Sequence, residues 1–357
     1  MIRFYRMNDT ILNQRQLAIL ELLHGGEALS RAEIIERLSL DRSVASITVI
    51  RDLGDLVDRG IVESSGRARA TTYRLSQLNP TLRYIDIRAY FAKSLDVRDV
   101  KVTFDRSIFS HLSVLHTADE RQLWDKSAHL FQKQKRALSS AMYKRELERF
   151  LIDFAWKSSQ IEGNTYDLIE TETLLKEKIR ARGHSEAEAL MVLNHKGAFE
   201  FITKNESVFQ KKLTRTLVVQ LHQIVTGGLE VQSGIRREQV RITGTRYIPP
   251  SSYAKLTPLF DDAIQAINKS TYPPDKALIA VSLIAYLQPF VDGNKRTSRM
   301  LGNAILLAYG YYPLSYRNID VTEYRKAIIL IYEQNNLYHM KRICMEQLQF
   351  AIDNYFC

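Results

Sequence analysis

The chain reads as mainly α-helical, with a small α+β segment near its N-terminal end. Three observations carry this reading. Apolar residues recur at helical spacing through most of the chain beyond residue 80. Only two stretches, 61–75 and 234–250, carry strand-and-turn signals. Between residues 283 and 302, an apolar helix, a break at Pro289 and Gly293, and a second helix form the most informative segment.

A length of 357 residues with 45% hydrophobic content suits two or three ordinary globular domains. Cys344 and Cys357 are too few for a disulfide framework or a thiolate metal site and fit a reducing compartment. No run approaches the ~20 apolar residues of a membrane span, and the first residues lack an apolar core of signal-peptide length. The expectation is a cytoplasmic protein with no membrane partner. A net charge of +10 permits attraction to nucleic acid, acidic proteins or nucleotides and names none of them.

Residues 8–78 form the first expected domain. Asn13 caps a helix with Leu17, Leu20 and Leu23 inward, and Gly25-Gly26 ends it. Ser30 and Glu33 form a capping box for a second helix carrying Ile34 and Leu38. Ser43 opens a third helix in which Val44, Ile47, Ile50 and Leu53 share a face, leaving Ser46, Thr48 and Arg51 outward, and Gly60 stops it. Two strands around Ser65-Gly66 follow. Helices and a basic hairpin in this order resemble a winged helix-turn-helix. DNA binding would place Ser46, Thr48 and Arg51 near bases and Arg67, Arg69 and Arg74 on phosphates. Acidic and basic residues nearly cancel here, with Asp52, Asp55 and Asp58 beside the presumed reading helix. A protein-interaction or structural role therefore stands level with DNA binding.

Pro80 marks a linker, and residues 79–150 are expected to be a helical connecting region in which Trp124, Phe131 and Tyr143 pack. The third expected domain is 151–357. Its first helix, 151–164, puts Ser158 and Glu162 four residues apart on one side and stops at Gly163-Asn164. A carboxylate at that end opposes the helix dipole and needs a cationic partner. Further helices are expected at 166–179, 185–202, 214–225 and 256–267, with His195 and His222 as structural histidines. The stretch 234–250 alternates Val240 and Ile242 around Thr243-Gly244, a hairpin signal.

The break at 288–293 ends one helix and starts another near Asn294, whose unpaired N–H groups and dipole make an anion cradle. Arg296 and Arg299, three residues apart, project from one face just inside that end. Asp292 adds a hard oxygen ligand suited to Mg²⁺ beside a nucleotide phosphate. Together these residues suit a metal–triphosphate.

Gln288-Pro-Phe-Val-Asp-Gly-Asn-Lys-Arg-Thr-Ser-Arg299 resembles the Fic signature His-Pro-Phe-x-(Asp/Glu)-Gly-Asn-x-Arg-x-x-Arg. The resemblance implies a helical Fic domain with a β-hairpin flap that transfers AMP from ATP to a Tyr, Thr or Ser hydroxyl of a target protein. It implies that Asp292 carries Mg²⁺, that Gly293, Asn294, Lys295 and Arg296 hold the phosphates, and that Arg299 grips the γ-phosphate. Ser158-Ser-Gln-Ile-Glu-Gly163 resembles the family's inhibitory motif, which implies that Glu162 pairs with Arg299 and blocks that grip. The flap, here Ile242, Thr243, Gly244, Thr245, Arg246 and Tyr247, would dock an extended target segment by strand addition.

Two positions depart from the pattern. Gln288 stands where the family has the general-base His, and an amide cannot take up that proton; a positioned base contributes about 10²–10⁴ in rate. Lys295 stands where many members have Gly, and a Lys there also occurs in the Doc-like branch, which phosphorylates its target. The alternatives are a nucleotide-sensing winged-helix DNA-binding regulator, an inactive Fic pseudoenzyme and a Doc-like kinase. A homodimer is an allowed partner arrangement. Asn303 is expected near the nucleotide base or ribose by resemblance, and Tyr311 and Tyr312 are packing residues or automodification sites.

Overall fold

The computed structural model describes residues 12–23, 27–39, 45–58, 61–76 and 79–356. Two compact units divide the chain, Met1–Lys93 and Ser94–Cys357. Gly25, Gly26, Ser43, Val44, Gly60, Cys357 and the Arg69 side chain lie outside the described residues.

In the first unit, α1 (Gln14–Leu23) begins where the Asn13 Oδ1 accepts the backbone N–H groups of Arg15 and Gln16. β1 (Leu29–Ser30) leads into α2 (Arg31–Ser39) through the expected capping box, the Ser30 N–H donating to Glu33 at 2.7 Å and the Glu33 N–H to Ser30 Oγ at 3.3 Å. α3 (Ser46–Asp58), β2 (Val62–Ser65) and β3 (Thr72–Leu75) complete the main frame. The antiparallel sheet has the order β1-β3-β2, with Val62 opposite Leu75 and Ser65 opposite Thr72. Gly66 turns the chain at φ +92°, where a Cβ would meet Ala70 O at 2.4 Å. Ile19, Leu23, Ile34, Val49, Leu53 and Leu56 share the core.

The expected inward face of α3 is corrected. Ile47 is 71% and Ile50 43% exposed, while Val49, Asp52, Leu53 and Leu56 are buried. Asp52 can occupy the inner face because the Arg15 guanidinium pairs with it and Asn13 Nδ2 donates to it at 3.0 Å. Satisfying one carboxylate from α1 rotates both isoleucines outward. Ser46 and Arg51 remain exposed as expected, and Arg74 is paired with Glu63 at 3.0 Å. α4 (Ile87–Ala92), capped by Asp86, ends this unit.

The second unit is helical throughout its framework. Its elements are α5 (Ala118–Ala137), α6 (Ser140–Ile161), α7 (Leu168–Glu177), α8 (Glu186–Lys204), α9 (Glu206–Gln210) and α10 (Arg215–Val225). They continue with α11 (Tyr253–Lys269), α12 (Pro273–Leu287), α13 (Asn294–Ala308), α14 (Val321–Gln334) and α15 (Tyr338–Asn354). Side chains on three N-caps, Thr117, Asp167 and Ser185, close capping boxes that start α5, α7 and α8. α12 and α13 are buried along almost their whole lengths and pack on each other, with α6, α8, α10, α11 and α14 around them. No helix among the described residues is long and apolar enough to cross a membrane.

Two further expectations are corrected. The boundaries at 78 and 150 give way to one at 93, and α6 runs unbroken through residue 150. α5 belongs to the second unit because Trp124 packs against Tyr311, and Phe131 against Tyr312 and Phe356. The stretch 234–250 turns at Thr243-Gly244 but forms no hairpin ladder. Its backbone groups are committed elsewhere: the Ile248 N–H donates to Val102 O at 2.8 Å. Buried Arg236 donates to the carbonyls of Gln288 (2.7 Å), Glu238 (2.6 Å) and Pro250 (2.8 Å), holding the segment open as a loop.

Gly302 sets the α12–α13 approach, since a Cβ there would lie 2.7 Å from Val281 Cγ2. Gly302→Ala is expected to lower stability by about 1–3 kcal/mol despite the gain in helix propensity. Denaturant unfolding reads this, and an unchanged or raised midpoint would count against close packing at that point.

Candidate functional site

α12 stops at Leu287 because Gln288 takes a left-handed conformation (φ 49°, ψ 58°) ahead of Pro289. The Gln288 amide is held on every side. Nε2 donates to Ala285 O at 2.7 Å and to the Tyr332 hydroxyl at 3.3 Å, while Oε1 accepts from Asn294 Nδ2 at 3.0 Å. Asn294 also accepts the Phe290 N–H at 2.9 Å and donates to Phe290 O at 2.8 Å. Its side chain, expected on a phosphate, is used to close the loop.

Gly293 precedes α13 at φ +80°, and a Cβ there would lie 2.6 Å from Thr226 Cγ2 and 3.4 Å from the His222 ring. No side chain caps α13, so its first N–H groups face the loop without a capping acceptor. His222 stacks on Phe290 at 3.7 Å and donates Nε2–H to Asp292 O at 2.9 Å. Burial lowers its pKa to about 4, so the ring is neutral and serves to hold the loop, as its structural reading expected.

The two arginines have different surroundings. Arg296 donates Nη2 to Asp292 at 2.7 Å, while its Nη1 is buried with no hydrogen-bond partner. Asp292 keeps a side chain 66% exposed. Arg299 is fully buried. Its Nε donates to Ser158 Oγ at 3.0 Å, Nη1 to the Tyr324 hydroxyl at 3.2 Å, and Nη2 to Ser158 O at 2.8 Å and Glu162 Oε1 at 2.9 Å. The other Glu162 oxygen takes Lys295 Nζ at 2.7 Å. Ser158 and Glu162, four residues apart at the end of α6, thus meet two of the three cations in the first turns of α13, Arg299 and Lys295.

Burial alone would raise the Glu162 pKa; the charges and hydrogen bonds of Arg299 and Lys295 overcome this and hold it at about 2. His195 supports the same contact from behind. Its Nδ1 faces Met191 O at 2.8 Å and carries the proton, so Nε2 accepts from Ser158 Oγ at 2.8 Å. Burial lowers its pKa to about 3 and keeps it in that role. Ser158 then presents a lone pair to Arg299.

The other expected residues are placed unevenly. Thr243, Gly244 and Arg246 are exposed, and Ile242 and Thr245 half-buried. Tyr247, expected to face a target, is buried; its hydroxyl donates to Tyr286 O at 2.9 Å and its ring stacks on Tyr332 at 5.4 Å. Asn303 spends its amide on the Leu314 backbone, at 3.0 and 2.8 Å, which removes it from a base-binding role. Tyr311 and Tyr312 are buried packing residues bonded to Asp125 and Gln134. Arg236, Tyr324 and Tyr332 were not singled out by the sequence, because each contributes through contacts distant along the chain.

These parts define a class: a helical domain whose break-and-helix loop presents the uncapped start of a helix beside two arginines, one of them clasped by a carboxylate of its own chain. The chain matches the Fic/DOC family model over residues 212–306. It is 32% identical over 211 residues to the protein adenylyltransferase Fic of Drosophila willistoni, covering 56% of this chain and 41% of that protein. Against the protein of the same name in Drosophila yakuba it is 29% identical over 237 residues, covering 65% and 45%. The chain spans less than half the length of these curated relatives. The structure of Fic-1 (residues 134–508) from C. elegans aligns with a TM-score of 0.58 at 22% identity, covering 67% of this chain and 72% of that one. A Fic domain containing signaling protein from Bacteroides thetaiotaomicron aligns at 0.52 and 19% identity, covering 66% and 96%.

Because the folded pKa of Glu162 lies below its ordinary value of 4.5, its ion pairs add stability above pH 4.5 that is lost as pH falls toward 2. Glu162→Gln is expected to cost about 2–4 kcal/mol at pH 7. Denaturation at several pH values should show the gap to the parent closing progressively below pH 4.5; a gap independent of pH would contradict this.

Proposed function

We propose that this chain is a protein adenylyltransferase that transfers AMP from ATP to a hydroxyl side chain of a target protein, and that Glu162 holds its site shut. One observation carries the reading: the Glu162 carboxylate bridges Arg299 and Lys295 at the start of α13, the place suited to a terminal phosphate. The names of the Drosophila relatives support the same activity.

In this reading the uncapped N–H groups of α13 and the unpartnered Arg296 Nη1 receive the polyphosphate, and Arg299 receives the γ-phosphate once Glu162 leaves. Asp292 would hold Mg²⁺. It is a single accessible carboxylate, and no group of three candidate metal ligands occurs among the described residues, so a Mg²⁺ that completes its shell with phosphate oxygens and water fits. Bound there, the ion would neutralise phosphate charge.

Gln288 limits the chemistry. Its amide cannot accept the target's proton, and the loss of a positioned base slows transfer by about 10²–10⁴. Its anchoring to Ala285, Tyr332 and Asn294 favours a second reading, in which the chain binds and senses nucleotide with little turnover.

Glu162→Gly is expected to tighten ATP binding about tenfold or more by calorimetry, since a competing carboxylate leaves the γ-phosphate position. Gln288→His combined with Glu162→Gly is expected to label protein from α-labelled ATP. Label from γ-labelled ATP alone would instead favour phosphate transfer. No label from either would favour the nucleotide-sensing reading, and unchanged ATP affinity in Glu162→Gly would sink the autoinhibition.

A further inference from the structure

We propose that Lys295 is a selectivity residue that disfavours triphosphate relative to diphosphate nucleotides, acting through Glu162; this rests on the nucleotide reading above. The Glu162 carboxylate is held at both oxygens, Oε1 by Arg299 at 2.9 Å and Oε2 by Lys295 at 2.7 Å. The two cations are not equivalent. Arg299 is fully buried and fixed by Ser158 and Tyr324 as well as by Glu162, so it cannot swing out to meet a ligand. Lys295 is 32% exposed and belongs to the first turn of α13.

A third phosphate reaches Arg299 only by displacing Glu162, and that displacement also breaks the Lys295 pair. Two phosphates seated on the uncapped N–H groups of α13 can leave Glu162 where it is. The Lys295–Glu162 pair therefore opposes the longer polyphosphate and not the shorter one. Direct attraction of Lys295 for phosphate works in the opposite sense, and it is the part that persists when Glu162 is absent. Partial exposure of Lys295 limits the pair to a modest effect.

Calorimetry with ATP and ADP, each with Mg²⁺, separates these contributions across the parent, Lys295→Met, Glu162→Gly and the double variant. The ratio of ATP to ADP affinity is expected to rise roughly three- to tenfold for Lys295→Met on the parent background. On the Glu162→Gly background the same change is expected to leave the ratio level or lower it. Lys295→Arg, which keeps the charge, should hold the parent ratio, and thermal melting without nucleotide checks that each variant folds. An equal change on both backgrounds, a fall on the parent background, or no change on either overturns the proposal. If Glu162→Gly alone leaves ATP affinity unchanged, the autoinhibited nucleotide site itself fails, whatever Lys295 does.

Discussion

A guanidinium with no solvent exposure must have its charge and its donors satisfied inside the protein, and Arg299 meets that demand by recruiting two elements. α6 supplies the Ser158 hydroxyl and carbonyl and the Glu162 carboxylate, and α14 supplies the Tyr324 hydroxyl. Arg325, also on α14, donates to Ile161 O at 2.8 Å and so secures the end of α6 beside the clasp. His195 on α8 completes the arrangement by fixing which way Ser158 points. The end of α6 is therefore tied to α13 by contacts that an incoming anion could replace only in part.

The loop beside Arg299 is held with equal firmness. Gly293 lies against Thr226, His222 stacks on Phe290, Asn294 bonds across the turn, and Arg236 grips Gln288 from the 234–250 segment. Backbone N–H groups at the start of α13 are thus presented by a frame of packed and hydrogen-bonded groups. The charged groups of this loop with the most solvent exposure are Asp292 and Lys295, at the rim.

Much of this was legible because it depends on local chemistry. Pro289 and Gly293 mark the break, Ser30 with Glu33 marks a helix start, and the four-residue spacing of Ser158 and Glu162 puts both on one side of α6. Resemblance to the Fic signature supplied Arg299 as the partner of Glu162. What could not be read depends on residues far apart in the chain. The inner face of α3 is set by Arg15 and Asn13, which let Asp52 in and turn Ile47 and Ile50 out. The hairpin pattern at 234–250 is overridden by Arg236 and by the bond from Ile248 to Val102. Asn303 is occupied by the Leu314 backbone, and the pairing of Lys295 with Glu162 joins positions 133 residues apart, 295 minus 162.

A crystal structure of the Glu162→Gly variant with Mg²⁺ and a non-hydrolysable ATP analogue tests the central claim most directly. The γ-phosphate should lie within hydrogen-bonding distance of Arg299, in the space left by the carboxylate, with the other phosphates on the first N–H groups of α13. Phosphates bound elsewhere, with Arg299 still enclosed by protein groups alone, would contradict it.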